Sequence, residues 1–167
     1  WKLPLFAKAN AIVPMYEANN NPQEVTDSNP DGLDKTSRIV DFYPIAGDNS
    51  YASYEDDGSS ITNATEKDEE YGTIDNINYN GHVETVFESS VKGDTATFTA
   101  NASTGSYDGY NSNRSTTFKV SVSAKPESIE AATGDTALKL TEVDSKEAFD
   151  AAEPANGEAV YFYDESP

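Results

Sequence analysis

From Thr116 to Ala124 the chain reads "TTFKVSVSA", an unbroken alternation that puts Phe118, Val120 and Val122 on one face and Thr117, Lys119, Ser121 and Ser123 on the other. That period of two predicts a half-buried antiparallel strand. Less regular runs of the same kind are "LPLFA" (3–7), "AIVPM" (11–15), "RIVDFYP" (38–44), "HVETVFES" (82–89), "TATFTA" (95–100), "ALKLTEV" (137–143) and "AVYFYD" (159–164). They are rich in β-branched and aromatic residues, which suit a pleated, half-buried surface. Most are separated by turn sequences: "AGDNS", "DDGS", "VKGD", "TGD" and "ANGE". Many short strands at this spacing predict an all-β fold, an antiparallel β-sandwich.

Two segments depart from the strand period. "DSKEAFDAA" (144–152) offers Asp144 as an N-cap with Glu147 three residues on, the pattern of a capping box, followed by good helix formers. One short helix is expected there, with Phe149 turned toward the sandwich. The segment from Glu17 to Ser37 is polar and rich in Asn, Asp and Pro, and reads as a long connector between two units. No repeat of solenoid or propeller period is present.

Charge narrows the range of partners. Eleven Lys and Arg stand against 30 Asp and Glu in 167 residues, a formal net charge of −19. Such a field repels nucleic acid and anionic membranes, which leaves neutral molecules, cations or metal ions as partners. With no cysteine, disulfides, thiolate nucleophiles and Cys-ligated zinc are excluded. No apolar run approaches the roughly 18 residues of a bilayer-spanning helix. The opening "WKLPLFAKAN" is neither a Met start nor a signal peptide, and is expected to be a piece of something longer.

The densest chemistry lies in "SYASYEDDGSS" (50–60), where Glu55, Asp56 and Asp57 are consecutive. A glycosidase uses two carboxylates, but they face each other across a substrate, whereas neighbours on an extended backbone point to opposite faces. Asp57-Gly58 is a strong turn dipeptide, so a hairpin tip is the preferred reading and a metal cage the alternative. "DSNPDG" (27–32) matches the first half of a calcium loop, with Asp27, Asn29 and Asp31 as alternate oxygen ligands and Gly32 sixth. Arg38 stands where the bidentate Glu belongs and Pro30 restricts the backbone. An acidic linker is therefore preferred to a calcium site at Asp27, Asn29 and Asp31. His82, the single histidine, offers neither a ligand cluster nor a triad, and no Ser or Thr sits in an activated-nucleophile pattern. The N-x-S/T triplets at Asn63, Asn101 and Asn113 are those expected of an Asn-, Ser- and Thr-rich chain. Ten Tyr and one Trp could stack on sugar rings, but Tyr43, Tyr54, Tyr161 and Tyr163 are read first as strand residues with hydrated hydroxyls.

Four stretches, in order, resemble the region after the catalytic barrel in glycoside hydrolase family 31. "LPLFAKANAIVPM" is similar to that family's Pro-Leu/Val-Phe-Val-Arg-Ala-Gly-x-Ile-Ile-Pro segment, with Lys8 and Asn10 where Arg and Gly are usual. "VDFYPIAGDNSYASYEDDGSS" resembles its strand, turn and Tyr-Glu-Asp-Asp-Gly element, and "GSYDGYNSNRSTTFKVSV" its Gly-x-Tyr-x-Gly and Arg before an alternating strand. "LTEVDSKEAFDAAEPANGEAVYFYDE" resembles the closing strand, helix and Tyr-rich strand of the distal C-terminal domain.

The resemblance implies that residues 1–35 are the end of a proximal sandwich plus connector and residues 36–167 a distal β-sandwich. It implies a non-catalytic part of a retaining α-glucosidase or α-glucosyltransferase, extracellular or at a bacterial cell surface, which buttresses a barrel carrying both catalytic aspartates. The long connector points to an elaborated bacterial transferase of the cycloalternan type. The expected partner is then the remainder of that enzyme, with α-glucan oligosaccharide second, and neither nucleic acid nor membrane. No cofactor is implied, calcium being the one alternative. A sugar-binding module and a calcium-stabilised acidic surface domain are the competing functions.

Overall fold

Side chains of Val83, Thr85, Phe87 and Ser89 are buried along Gly81–Lys92, while His82, Glu84 and Glu88 between them are exposed. This is a strand with one face on a core, and the first part of the fold is organised around it. The computed structural model describes residues 5–16, 35–56, 61–64, 77–79 and 81–165. They fall in two compact units, Trp1–Ser121 and Val122–Pro167.

In the first unit, β1 (Ile12–Met15), β2 (Ser37–Phe42) and β9 (Ser115–Val120) form one sheet in the order β1-β2-β9. The other sheet contains β3 (Gly47–Glu55), β6 (Gly81–Lys92) and β7 (Thr95–Ala100) in that order, with β8 (Thr104–Tyr107) also paired to β6. A separate pair joins β4 (Ile61–Ala64) to β5 (Ile77–Tyr79). The two larger sheets meet through Ile12, Val40 and Phe42 from one and Phe87 from the other, flanked by Phe98, Ala100 and Val120. Phe42 has its ring 4.8 Å from Phe98 and 5.3 Å from Phe118, the tilted and edge-on geometries that aromatic quadrupoles favour. The expected all-β, sandwich-like architecture is what the chain adopts.

Buried hydroxyls in β6 are answered by hydrogen bonds, as they must be in a core. Thr85 and Ser103 hydroxyls lie 2.7 Å apart, and Ser89 donates to Asn10 Oδ1 at 3.4 Å.

Three details differ from the sequence pattern. The alternating strand β9 ends at Val120 and runs parallel to β2, Val40 opposite Phe118. Alternation reports which face is buried but not the direction of a neighbour, and β9 reaches β2 only after the chain has built the whole second sheet. Second, β1 is antiparallel to β2 with Ile12 opposite Phe42, so Ile12 shares the core of the strands that follow while Val13 and Met15 stay exposed. The division between the two compact units falls between Ser121 and Val122. Third, residues 5–7 of the "LPLFA" run form no strand, and Leu5 and Phe6 are 87% and 92% exposed.

The second unit holds a hairpin of β10 (Ala132–Thr133) and β11 (Thr136–Ala137), then β12 (Lys139–Glu142), α1 (Lys146–Asp150) and β13 (Glu158–Tyr161), with β12 and β13 parallel. The helix stands where expected, but its N-cap is Ser145, whose Oγ accepts from Ala148 N at 3.1 Å. With Ser145 as cap, the third helical residue is Ala148, and Glu147 is one position early for a capping box. Phe149 packs on Phe162 of the same unit, ring centroids 5.4 Å apart.

Gly105, at φ +89, faces Val83 across the β6/β8 pairing, and a Cβ there would collide with the backbone oxygen of His82. Gly93, at φ +60, turns β6 into β7 with open space around it. Gly105→Ala should therefore cost at least about 2 kcal/mol, combining strained φ with a backbone clash, and Gly93→Ala only about 1 kcal/mol. Urea denaturation of both variants checks the difference; equal midpoints would contradict the close approach of β8 to β6.

Candidate functional site

Tyr51, Ser53 and Glu55 of β3 stand opposite Phe87, Thr85 and Val83 of β6. Partners in register share a sheet face, so Glu55 is carried toward the inner side. A carboxylate taken out of water needs a charged partner. Arg114 supplies it from just before β9 in the other sheet: its Nη2 donates to Glu55 Oε1 at 2.5 Å, with the two side chains 4% and 11% exposed. Tyr16, just beyond β1, donates its hydroxyl to Glu55 Oε2 at 3.4 Å.

Arg38 of β2 completes the cluster. Its guanidinium lies 5.0 Å from the centre of the Phe87 ring, and it donates from Nε to Thr116 Oγ1 at 2.9 Å and from Nη1 to Thr85 Oγ1 at 3.5 Å. Arg114 also lies over Tyr110 at 5.5 Å, Tyr110 packs on Tyr107, and Lys35 lies over Tyr107 at 5.8 Å. Arg38 and Arg114 are the only arginines in the chain. Between them and β3 runs a groove of about 240 Å³, lined by Met15, Tyr16, Arg38, Tyr51, Glu55 and Arg114 among others.

Burial and charge act differently on each group. Burial pushes the Arg38 guanidinium below its ordinary value, and the Arg114 charge adds to the push. Burial also pulls Arg114 down, but its hydrogen bond to Glu55 and that carboxylate's charge outweigh the loss, and it ends above its ordinary value. The Tyr16 phenol is raised, first by burial and then by Glu55. Arg114 Nε is buried and meets no acceptor among the described residues.

Glu55 is thus the end of a strand, held in a buried ion pair. Asp56 beside it is partly buried; Asp57 and Gly58 lie outside the described residues, as do Asp27, Asn29 and Asp31 of the calcium-loop pattern. Among the described residues no three His, Asp or Glu side chains converge to hold a metal ion, and no helix is long and apolar enough to cross a membrane. His82 is exposed on the outer sheet face and stacks on Tyr54, 4.8 Å between ring centroids. Tyr43 and Tyr161 donate their hydroxyls to Asp41 and Glu142. Arg38, Arg114 and Tyr16 were not singled out as a site by sequence patterning. The available signal was scarcity, since a chain with two arginines has few ways to compensate a buried carboxylate by a forked donor.

The raised Tyr16 value has a consequence for alkaline stability. A group whose folded pKa is raised contributes stability that is complete below its unfolded value, here the ordinary 10.0, and is lost as pH rises through the folded value. The wild-type chain should therefore lose more stability between about pH 9 and pH 11 than Tyr16→Phe does. Urea midpoints at the two pH values check this, and parallel losses would contradict a buried phenol beside Glu55.

Compared with known proteins, the chain matches no family model and, at a significant level, no curated protein.

Proposed function

We propose that the chain is a non-catalytic, structural part of a family 31 glycoside hydrolase or transglycosylase acting on α-linked glucosides, and that its sandwich buttresses the catalytic barrel. The observation that carries this is the Glu55 to Arg114 ion pair. Two stretches quoted for the resemblance, "YEDDG" and "NRSTTF", lie far apart in sequence, and their charged residues are each other's partner. A carboxylate held in that way fixes a fold, and it is not free to attack or protonate a glycoside.

A second observation removes a discrepancy. Asn10 stands where the family pattern has Gly, and its φ is +63, in the left-handed region that Asn tolerates best after Gly. Its backbone N–H donates to Tyr43 O at 2.8 Å, so the substitution keeps the conformation a glycine would supply. Ile12 is committed to the sandwich core, and Leu5 and Phe6 are exposed apolar residues available to another polypeptide segment.

Two measurements test the proposal. Reading the gene upstream of the Trp1 codon should reveal a (β/α)8 barrel with two catalytic aspartates, and a different preceding domain would overturn the assignment. The chain by itself should not turn over nitrophenyl α-glucoside or isomaltose. Turnover abolished by Asp56→Asn or Asp57→Asn would show that the acidic triplet is catalytic and contradict its structural role.

A further inference from the structure

The groove beside Glu55 combines features that a purely structural cluster does not need. Glu55 neutralises Arg114, yet Arg38, which lines the same groove, bonds only to the neutral hydroxyls of Thr85 and Thr116. No carboxylate among the described residues comes within ion-pair distance of it. The charge of Glu55 reaches Arg38 only at longer range; a partly buried guanidinium with no directly bonded carboxylate is costly, and a planar fork of donors is the side chain best shaped to take one. Both arginines of a chain at −19 line it, so its described lining sets two guanidiniums against the single carboxylate of Glu55.

The walls specify more than charge. Tyr51 is 47% exposed and lines the groove from β3, with Met15 and Tyr16 also contributing to its walls. A tyrosine with an accessible ring provides a flat apolar surface and a polar end, the combination that packs on a pyranose. The groove volume of about 240 Å³ is below the roughly 300–1,000 Å³ of sites for drug-sized ligands, and suits a single ring with its substituent. The net negative charge acts against an anion at long range, but at physiological salt it is screened beyond about 8 Å, whereas a ligand seated on Arg38 is closer than that.

We propose that this groove binds a uronic acid unit of an acidic saccharide, its carboxylate on the Arg38 guanidinium and its ring against Tyr51. The site stands on the groove alone and does not depend on the family assignment.

Titration of the 15N-labelled chain followed by NMR tests it, because one spectrum reports both binding and folding. The probes are methyl α-glucuronoside, methyl α-glucoside and acetate, at about 0.15 M salt. The glucuronoside should shift amide resonances of residues around Arg38 and Tyr51, and bind at least about tenfold more tightly than either of the others, the margin expected of one charged hydrogen-bonded contact. Arg38→Gln should abolish the preference over the glucoside, and Tyr51→Ala, at an exposed position, should weaken glucuronoside while leaving acetate unchanged. Equal binding of glucuronoside and acetate would overturn the role of the ring, and equal binding of glucuronoside and glucoside that of the carboxylate. A folded Arg38→Gln that keeps the preference would overturn the site. Should Arg38→Gln lose its dispersed spectrum, Tyr51→Ala decides: unchanged glucuronoside affinity overturns the proposal.

Discussion

A carboxylate and a guanidinium, both almost fully removed from water, join the last residue of β3 to the residue before β9. These strands belong to different sheets, so the Glu55–Arg114 pair closes one end of the sandwich, as the Ile12, Val40, Phe42 and Phe87 cluster fills its middle. The two kinds of contact have different logic. Apolar burial stabilises in proportion to area and tolerates many shapes. A buried ion pair adds little net stability against a well-packed apolar pair, but it is intolerant of losing one member. It therefore acts as a constraint on where β9 may lie relative to β3.

That constraint also creates the groove. Holding Arg114 against Glu55 brings Tyr16 to the other carboxylate oxygen and leaves Arg38 to be satisfied by threonine hydroxyls and the Phe87 ring face. The result is a concave surface whose described lining sets two guanidiniums and tyrosine rings beside one carboxylate, on a chain that is strongly acidic. Structural and binding roles coexist because one carboxylate bonds directly to only one of the two arginines.

Much of the fold is legible in the sequence, since strand alternation and sheet burial are the same fact read twice. Phe118, Val120, Val83 and Phe87 reveal their elements because period two is local. Pairing direction and partner choice are not local: nothing in "TTFKV" states that its neighbour is the parallel "RIVDF". Similarly, "YEDDG" carries a turn signal in Asp-Gly, whereas Glu55 within it belongs to β3, whose register turns it inward. Its partner was hidden by a long sequence separation, which no spacing rule spans. The helix cap shifted by one residue because Asp144 and Ser145 are both good caps, and only tertiary placement chooses between them.

The account depends most on the ion pair acting as one unit, and a double-mutant cycle measures that directly. Urea unfolding of Glu55→Gln, Arg114→Met and the double variant gives the coupling between the two side chains. Each single change should cost about 3–5 kcal/mol by stranding a buried partner, and the double variant should cost less than their sum by about 2 kcal/mol or more. Additivity within about 0.5 kcal/mol would mean that the two charges do not depend on one another, and that the sandwich is closed by something else.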